Sequence, residues 1–180
     1  MKIKNKDLLI GALFIFISYS IEATHSIEEI FIKGNEKWKL IELISDRYPS
    51  IHPLKKELIT TKKNRWSQYQ NNYQNEKTPG AKKENYKIIV ENYKEINSLM
   101  RDLCIDMANI NESLLEQFKS KIRKEWNKNI YVNSYTVSIQ DFQNAKLYFY
   151  KKQYDYSLHL YNKSITTLQK LAKKTNISLK

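Results

Sequence analysis

The sequence predicts an all-α protein, a helical bundle that ends in an αα-hairpin. Three observations predict it. Glycine and proline number 3 each in 180 residues, so few positions interrupt a helix. Apolar residues recur at steps of three and four across residues 86–126, which is the period of one helix face. Two further stripes flank a short polar joint at residues 151–153. Ile139, Phe142, Ala145, Tyr148 and Phe149 precede it; Tyr154, Ser157, Leu158, Tyr161, Ser164, Ile165 and Leu168 follow. Paired stripes of this kind bury one face of each helix against the other. With 41% hydrophobic and 28% charged residues, the chain has the composition of one folded domain rather than a disordered one.

The N-terminus reads as an export signal over residues 1–23. Lys2, Lys4 and Lys6 form a basic head, an uncharged apolar run covers residues 8–19, and Ser18, Ser20 and Ala23 supply small residues for cleavage. The run is shorter than the roughly 20 residues a spanning helix needs; an uncleaved N-terminal membrane anchor is the alternative. Export places the protein in the periplasm, with the outer surface as a further possibility. Heavy Lys, Asn and Ile usage points to an AT-rich bacterial genome. Cys104 is the sole cysteine, so an exported chain has no internal disulfide. It lies on an apolar stripe, as a buried thiol would.

Residues 24–126 form the expected helical scaffold. Ile27, Ile30, Phe31, Gly34, Trp38, Ile41 and Ile44 make the first stripe, opened by Ser26 and Glu29 at capping-box spacing. Gly34 lies on the apolar face, where it either permits a close helix crossing or breaks the helix. Pro49 and Pro53 mark a turn. The next helix reaches about Asn75, with Leu54, Leu58, Ile59, Trp66, Tyr69 and Tyr73 as anchors. Lys62 and Arg65 sit among its aromatics, so Trp66, Tyr69 and Tyr73 are a candidate ligand surface for stacking on a sugar or a base. Thr78, Pro79 and Gly80 end that segment. The long stripe that follows is one helix or two; Ser113 and Glu116, at capping-box spacing, favour a break near residues 109–113. Residues 127–137 have no helical period and read as a linker loop. Residues 175–180 read as a frayed tail.

Residues 138–171 resemble one tetratricopeptide repeat, a 34-residue helix–turn–helix. Ala145, Ser157 and Ser164 occupy its small positions; Tyr148, Tyr154 and Tyr161 occupy its large aromatic ones. Asp141 and Asn144 depart from the family's Trp and Leu, Lys152 from its common Gly, and Gln169 from its closing Pro. The resemblance implies a hairpin over residues 138–174 that presents a concave face to peptides or partner domains. By it, Phe142, Lys146, Phe149 and Tyr150 face the groove and bind the partner. Lys146 replaces the Asn used by peptide-carboxylate-binding members. A single repeat needs neighbours to cover its apolar faces. Asn111, one repeat length before Ala145, does not restart the pattern, so cover must come from upstream helices, another protein or a second copy in a homodimer.

Catalytic signatures are absent from the sequence. His25, His52 and His159 are isolated, and no HExxH, CxxC, Gly-rich phosphate loop or GxSxG occurs. Asp102 with Asp106, and Glu112 with Glu116, share helix faces but have no neighbouring His. The expectation is a non-enzymatic protein with no cofactor and no metal. The formal charge is +12, and removal of residues 1–23 leaves 28 basic and 17 acidic residues, or +11. Export argues against nucleic acid as the partner of that charge and leaves anionic membrane, wall polymer or acidic protein. The predicted function is binding another envelope protein, as a peptide or helix in the hairpin groove, in support of a complex. The alternative is a surface-exposed basic binding protein or adhesin for anionic glycans or host proteins.

Overall fold

The computed structural model describes residues 26–48, 53–122 and 129–176. The predicted signal at residues 1–23, His25, His52, Trp126 and residues 177–180 lie outside them. Among the described residues the fold is all-α, with five helices and no strand: α1 (Ile27–Arg47), α2 (Pro53–Asn75), α3 (Pro79–Ile122), α4 (Asn129–Tyr150) and α5 (Tyr154–Thr175). Each runs opposite to the one before it, and α3 is the spine. Its N-terminal half packs on α1 and α2; its C-terminal half packs on the α4–α5 hairpin, chiefly on α5.

The N-terminal layer is built as its stripes predict. Ser26 caps α1, its Oγ accepting from Glu29 N at 3.2 Å. Ile30, Phe31, Trp38, Ile41 and Ile44 are buried. Gly34 does not break α1. It is the site of a close crossing, where a Cβ would collide with the Trp66 ring. The Trp66 indole is buried over it and donates from Nε1 to Asn35 Oδ1 at 2.8 Å. Phe31 holds the other end of α2 through edge contacts to Trp66 (6.1 Å) and Tyr73 (5.9 Å). Each fully buried large apolar side chain of such a core stabilises the fold by about 1.5–3 kcal/mol.

The structure corrects the sequence reading in two elements. First, α3 is unbroken over 44 residues, about 66 Å at 1.5 Å per residue. Ser113 does not cap a new helix; its Oγ accepts from Gln117 Nε2 one turn on, at 3.3 Å. Through the expected break the buried face continues as Met107, Asn111, Leu114, Leu115 and Phe118, with a polar Asn in an apolar place. Second, the linker predicted at 127–137 is helical from Asn129 onward. Tyr131 and Tyr135 pack against the core and Ser138 is buried, which continues the stripe of Phe142 and Ala145 upstream at steps of three and four. Tyr135 packs on Phe118 at 6.4 Å and donates from its hydroxyl to the Leu115 carbonyl at 3.3 Å. Tertiary contact outweighs the small helix penalty of the β-branched residues Val132, Thr136 and Val137.

The hairpin crosses where small residues were expected. Ala145, Ser157 and Ser164 are fully buried. Ser157 Oγ donates to the Ala145 carbonyl at 2.9 Å, and Ser164 Oγ lies 2.8 Å from the Ser138 carbonyl and 3.0 Å from Asn111 Oδ1. Asn111 Nδ2 donates to the Tyr161 carbonyl at 3.3 Å, so a polar seam fixes the register of α3 against both hairpin helices. The turn is a Schellman cap: Gln153 N donates to Tyr148 O at 3.0 Å and Lys152 N to Phe149 O at 2.9 Å. Lys152 takes the left-handed backbone, φ 59°. The spine α3 packs along the hairpin, chiefly on α5.

Candidate functional site

A cleft opens between α3, α4 and α5. The cleft has a volume of about 150 Å³ and is lined by Cys104, Ile105, Ala108 and Asn109 of α3, Lys146, Phe149 and Tyr150 of α4, and Tyr161 of α5. Its lining is mainly apolar. Ile105 is 46% exposed and Tyr150 79% exposed, so two large apolar side chains stand at its mouth facing water.

Three of the four predicted partner-binding residues line this cleft: Lys146, Phe149 and Tyr150. Phe142 does not. It is buried against Tyr161 at 5.8 Å, and the Lys146 ammonium lies over its ring at 4.5 Å. Phe142 therefore supports Lys146 from below. Lys146 also reaches Glu112 across the cleft at 3.7 Å. Phe149 is wedged between Tyr150 (6.0 Å) and Tyr154 (5.7 Å), which sets the rim.

The alternative ligand surface is corrected. Trp66 is 1% exposed and cannot stack on a sugar. Tyr69 and Tyr73 are partly buried and pack on the same core. Their spacing reads as a platform in sequence, yet the glycine opposite draws Trp66 inward.

The sequence did not mark Ile105, Ala108, Asn109 and Tyr161 as cleft residues. One signal was present: Ile105 lies off the α3 stripe, an apolar residue on the polar side. Cys104 lies at the cleft wall with no exposed surface. Burial pushes its thiol up to about 12, and Tyr161 is likewise pushed up to about 12 by burial. Both are neutral near pH 7, so the cleft offers a packed, unreactive thiol and a phenol rather than a thiolate nucleophile. On α3, Asp102 accepts from Arg101 at 2.9 Å and Glu112 faces Lys146. Among the described residues no group of three or more His, Cys, Asp or Glu is placed to hold a metal.

A second depression, about 590 Å³, lies between the end of α2 and the start of α3 and is lined by Asn72, Asn75, Glu76, Gly80, Ala81, Glu84 and Asn85. It is wide open and polar, and none of the predicted residues touches it. Among the described residues no helix is long and apolar enough to cross a membrane. No family model matches the chain, and the searches of curated proteins and of solved structures find no similar protein.

Proposed function

We propose that this is an exported, non-enzymatic protein that binds another envelope protein in the α3–α4 cleft and supports the assembly or stability of a complex. The observation that carries the reading is the pairing of exposed Ile105 and Tyr150 across a recessed apolar cleft. Exposed apolar groups gathered around an apolar recess, rather than scattered singly, mark an interaction site. Three of the four groove positions that the resemblance implies, Lys146, Phe149 and Tyr150, line the cleft, and helix-lined grooves of this kind take a peptide or helix. Export rests on the basic head and apolar run of residues 1–23. The adhesin reading loses its aromatic platform with the burial of Trp66.

The test is crosslinked affinity capture from cell envelopes. Wild type is compared with a Lys146→Glu, Tyr150→Ala variant of matched circular dichroism. Tyr150 is exposed and the Lys146 side chain is 44% exposed, and matched circular dichroism checks that the fold persists. The reading expects a protein held by wild type and lost by the variant. Equal capture by both would move the interface elsewhere on the molecule.

A further inference from the structure

We infer that the cleft takes an internal acidic segment of its partner, anchored by one phenylalanine- or leucine-sized side chain. This rests on the protein-binding reading above and names the chemistry of what binds. Two observations carry it, one of shape and one of charge.

The hollow is about 150 Å³, a volume that accommodates a single benzene-sized group. Ala108 keeps the α3 wall low, Tyr161 forms the floor, and Ile105 and Tyr150 flank the opening. One buried side chain fills such a space, and an anchor of that kind supplies most of the affinity of a small interface. A lipid surface would meet the protruding rim and leave the recess empty.

Charge selects what flanks the anchor. The hairpin, residues 129–176, holds seven basic and two acidic residues, a net +5. Of its two carboxylates, Asp141 is nearly buried and bound to Lys163 at 3.0 Å. Lys151 and Lys152 follow Tyr150 directly at the turn and are exposed. Among the described residues they engage no carboxylate; Lys151 lies over the Tyr148 ring at 5.8 Å. On α3 Asp102 is paired with Arg101 and Glu112 with Lys146, and the hairpin's second carboxylate, Asp155, acts on Lys37 and Cys104. A segment whose anchor enters the hollow therefore runs its neighbours past two ammonium groups that, among the described residues, pair with no carboxylate; these favour carboxylates on the partner.

Fluorescence anisotropy on the purified protein tests this with a labelled nonapeptide, blocked at both ends, that carries one central phenylalanine among aspartates and glutamates. The inference expects saturable binding that weakens about tenfold or more when the phenylalanine becomes alanine. It expects none when the flanks are lysines. Ala108→Leu, which fills the hollow, and Lys151→Glu with Lys152→Glu, on the exposed turn, should each cost a similar factor. The turn variant keeps the test valid if the filled cleft misfolds. Equal binding of the phenylalanine and alanine peptides overturns the anchor. Absence of binding overturns the whole inference, as does tighter lysine-dependent binding to phosphatidylglycerol vesicles or to a single-stranded oligonucleotide. Self-association of the protein through Ile105 and Tyr150 without peptide binding also overturns it, in favour of a second copy. Envelope capture that depends on Lys146 and Tyr150 while the acidic peptide fails would refute this inference and leave the protein-binding reading standing.

Discussion

At the residue scale, Gly34 and the pair Cys104 and Tyr161 carry the sharpest consequences. The Trp66 ring occupies the space a Cβ on Gly34 would need. Both partners are packed helix interior, so relief requires the helices to separate. Gly34→Ala should destabilise the protein by about 1–3 kcal/mol despite the higher helix propensity of Ala, as read by urea denaturation. Cys104 and Tyr161 are raised to about 12 in the folded state from 9.0 and 10.0. In the unfolded chain they ionise first, so the folded state binds more protons between those limits. Their contribution is complete below about pH 9 and lost as pH rises towards 12, with a limiting slope of about 1.4 kcal/mol per pH unit for each group. Tyr161→Phe should flatten the decline seen in denaturation midpoints above pH 10. An unchanged slope would place the titrating groups elsewhere.

At the element scale, the polar seam explains why α3 stays whole. Asn111 is a poor helix former that reads as a break point, yet its side chain bonds to Tyr161 O and meets the Ser164 hydroxyl. Asn111→Ala strands buried polar groups on α5 and should cost about 1–3 kcal/mol; Asn111→Ser, smaller but still polar, should cost less. Differential scanning calorimetry separates the two. The hairpin was legible in sequence because Ala145, Ser157, Ser164 and Tyr161 act locally, at fixed spacing along two adjacent helices. The turn was legible as the polar joint at residues 151–153; the left-handed backbone at Lys152 was not, because a Lys carries no local signal for positive φ. The first two turns of α4 were not, because Tyr131 and Tyr135 owe their helical state to Leu115 and Phe118, which lie distant in the chain. The fate of Trp66 was likewise settled by Gly34, more than thirty residues away.

At the scale of the whole molecule, α3 joins two helical pairs, and the site forms between it and the second pair. The sequence marked the α4 wall of the cleft through Lys146, Phe149 and Tyr150. It left the α3 wall unread, because no local pattern ties Ile105 and Ala108 to a hairpin that begins after residue 128. Ile105 thus becomes the most informative reporter of the binding claim: it is exposed, apolar and at the mouth of the cleft. Ile32 on α1 is 60% exposed and lies outside the cleft lining, which makes it the matched control. The decisive measurement is site-specific photocrosslinking in growing cells, with a benzophenone amino acid placed at Ile105 in one strain and at Ile32 in another. The account predicts a discrete higher-mass adduct from Ile105 that disappears when Lys146→Glu and Tyr150→Ala are added, and no such adduct from Ile32. A discrete adduct from Ile32, with none from Ile105, would contradict it.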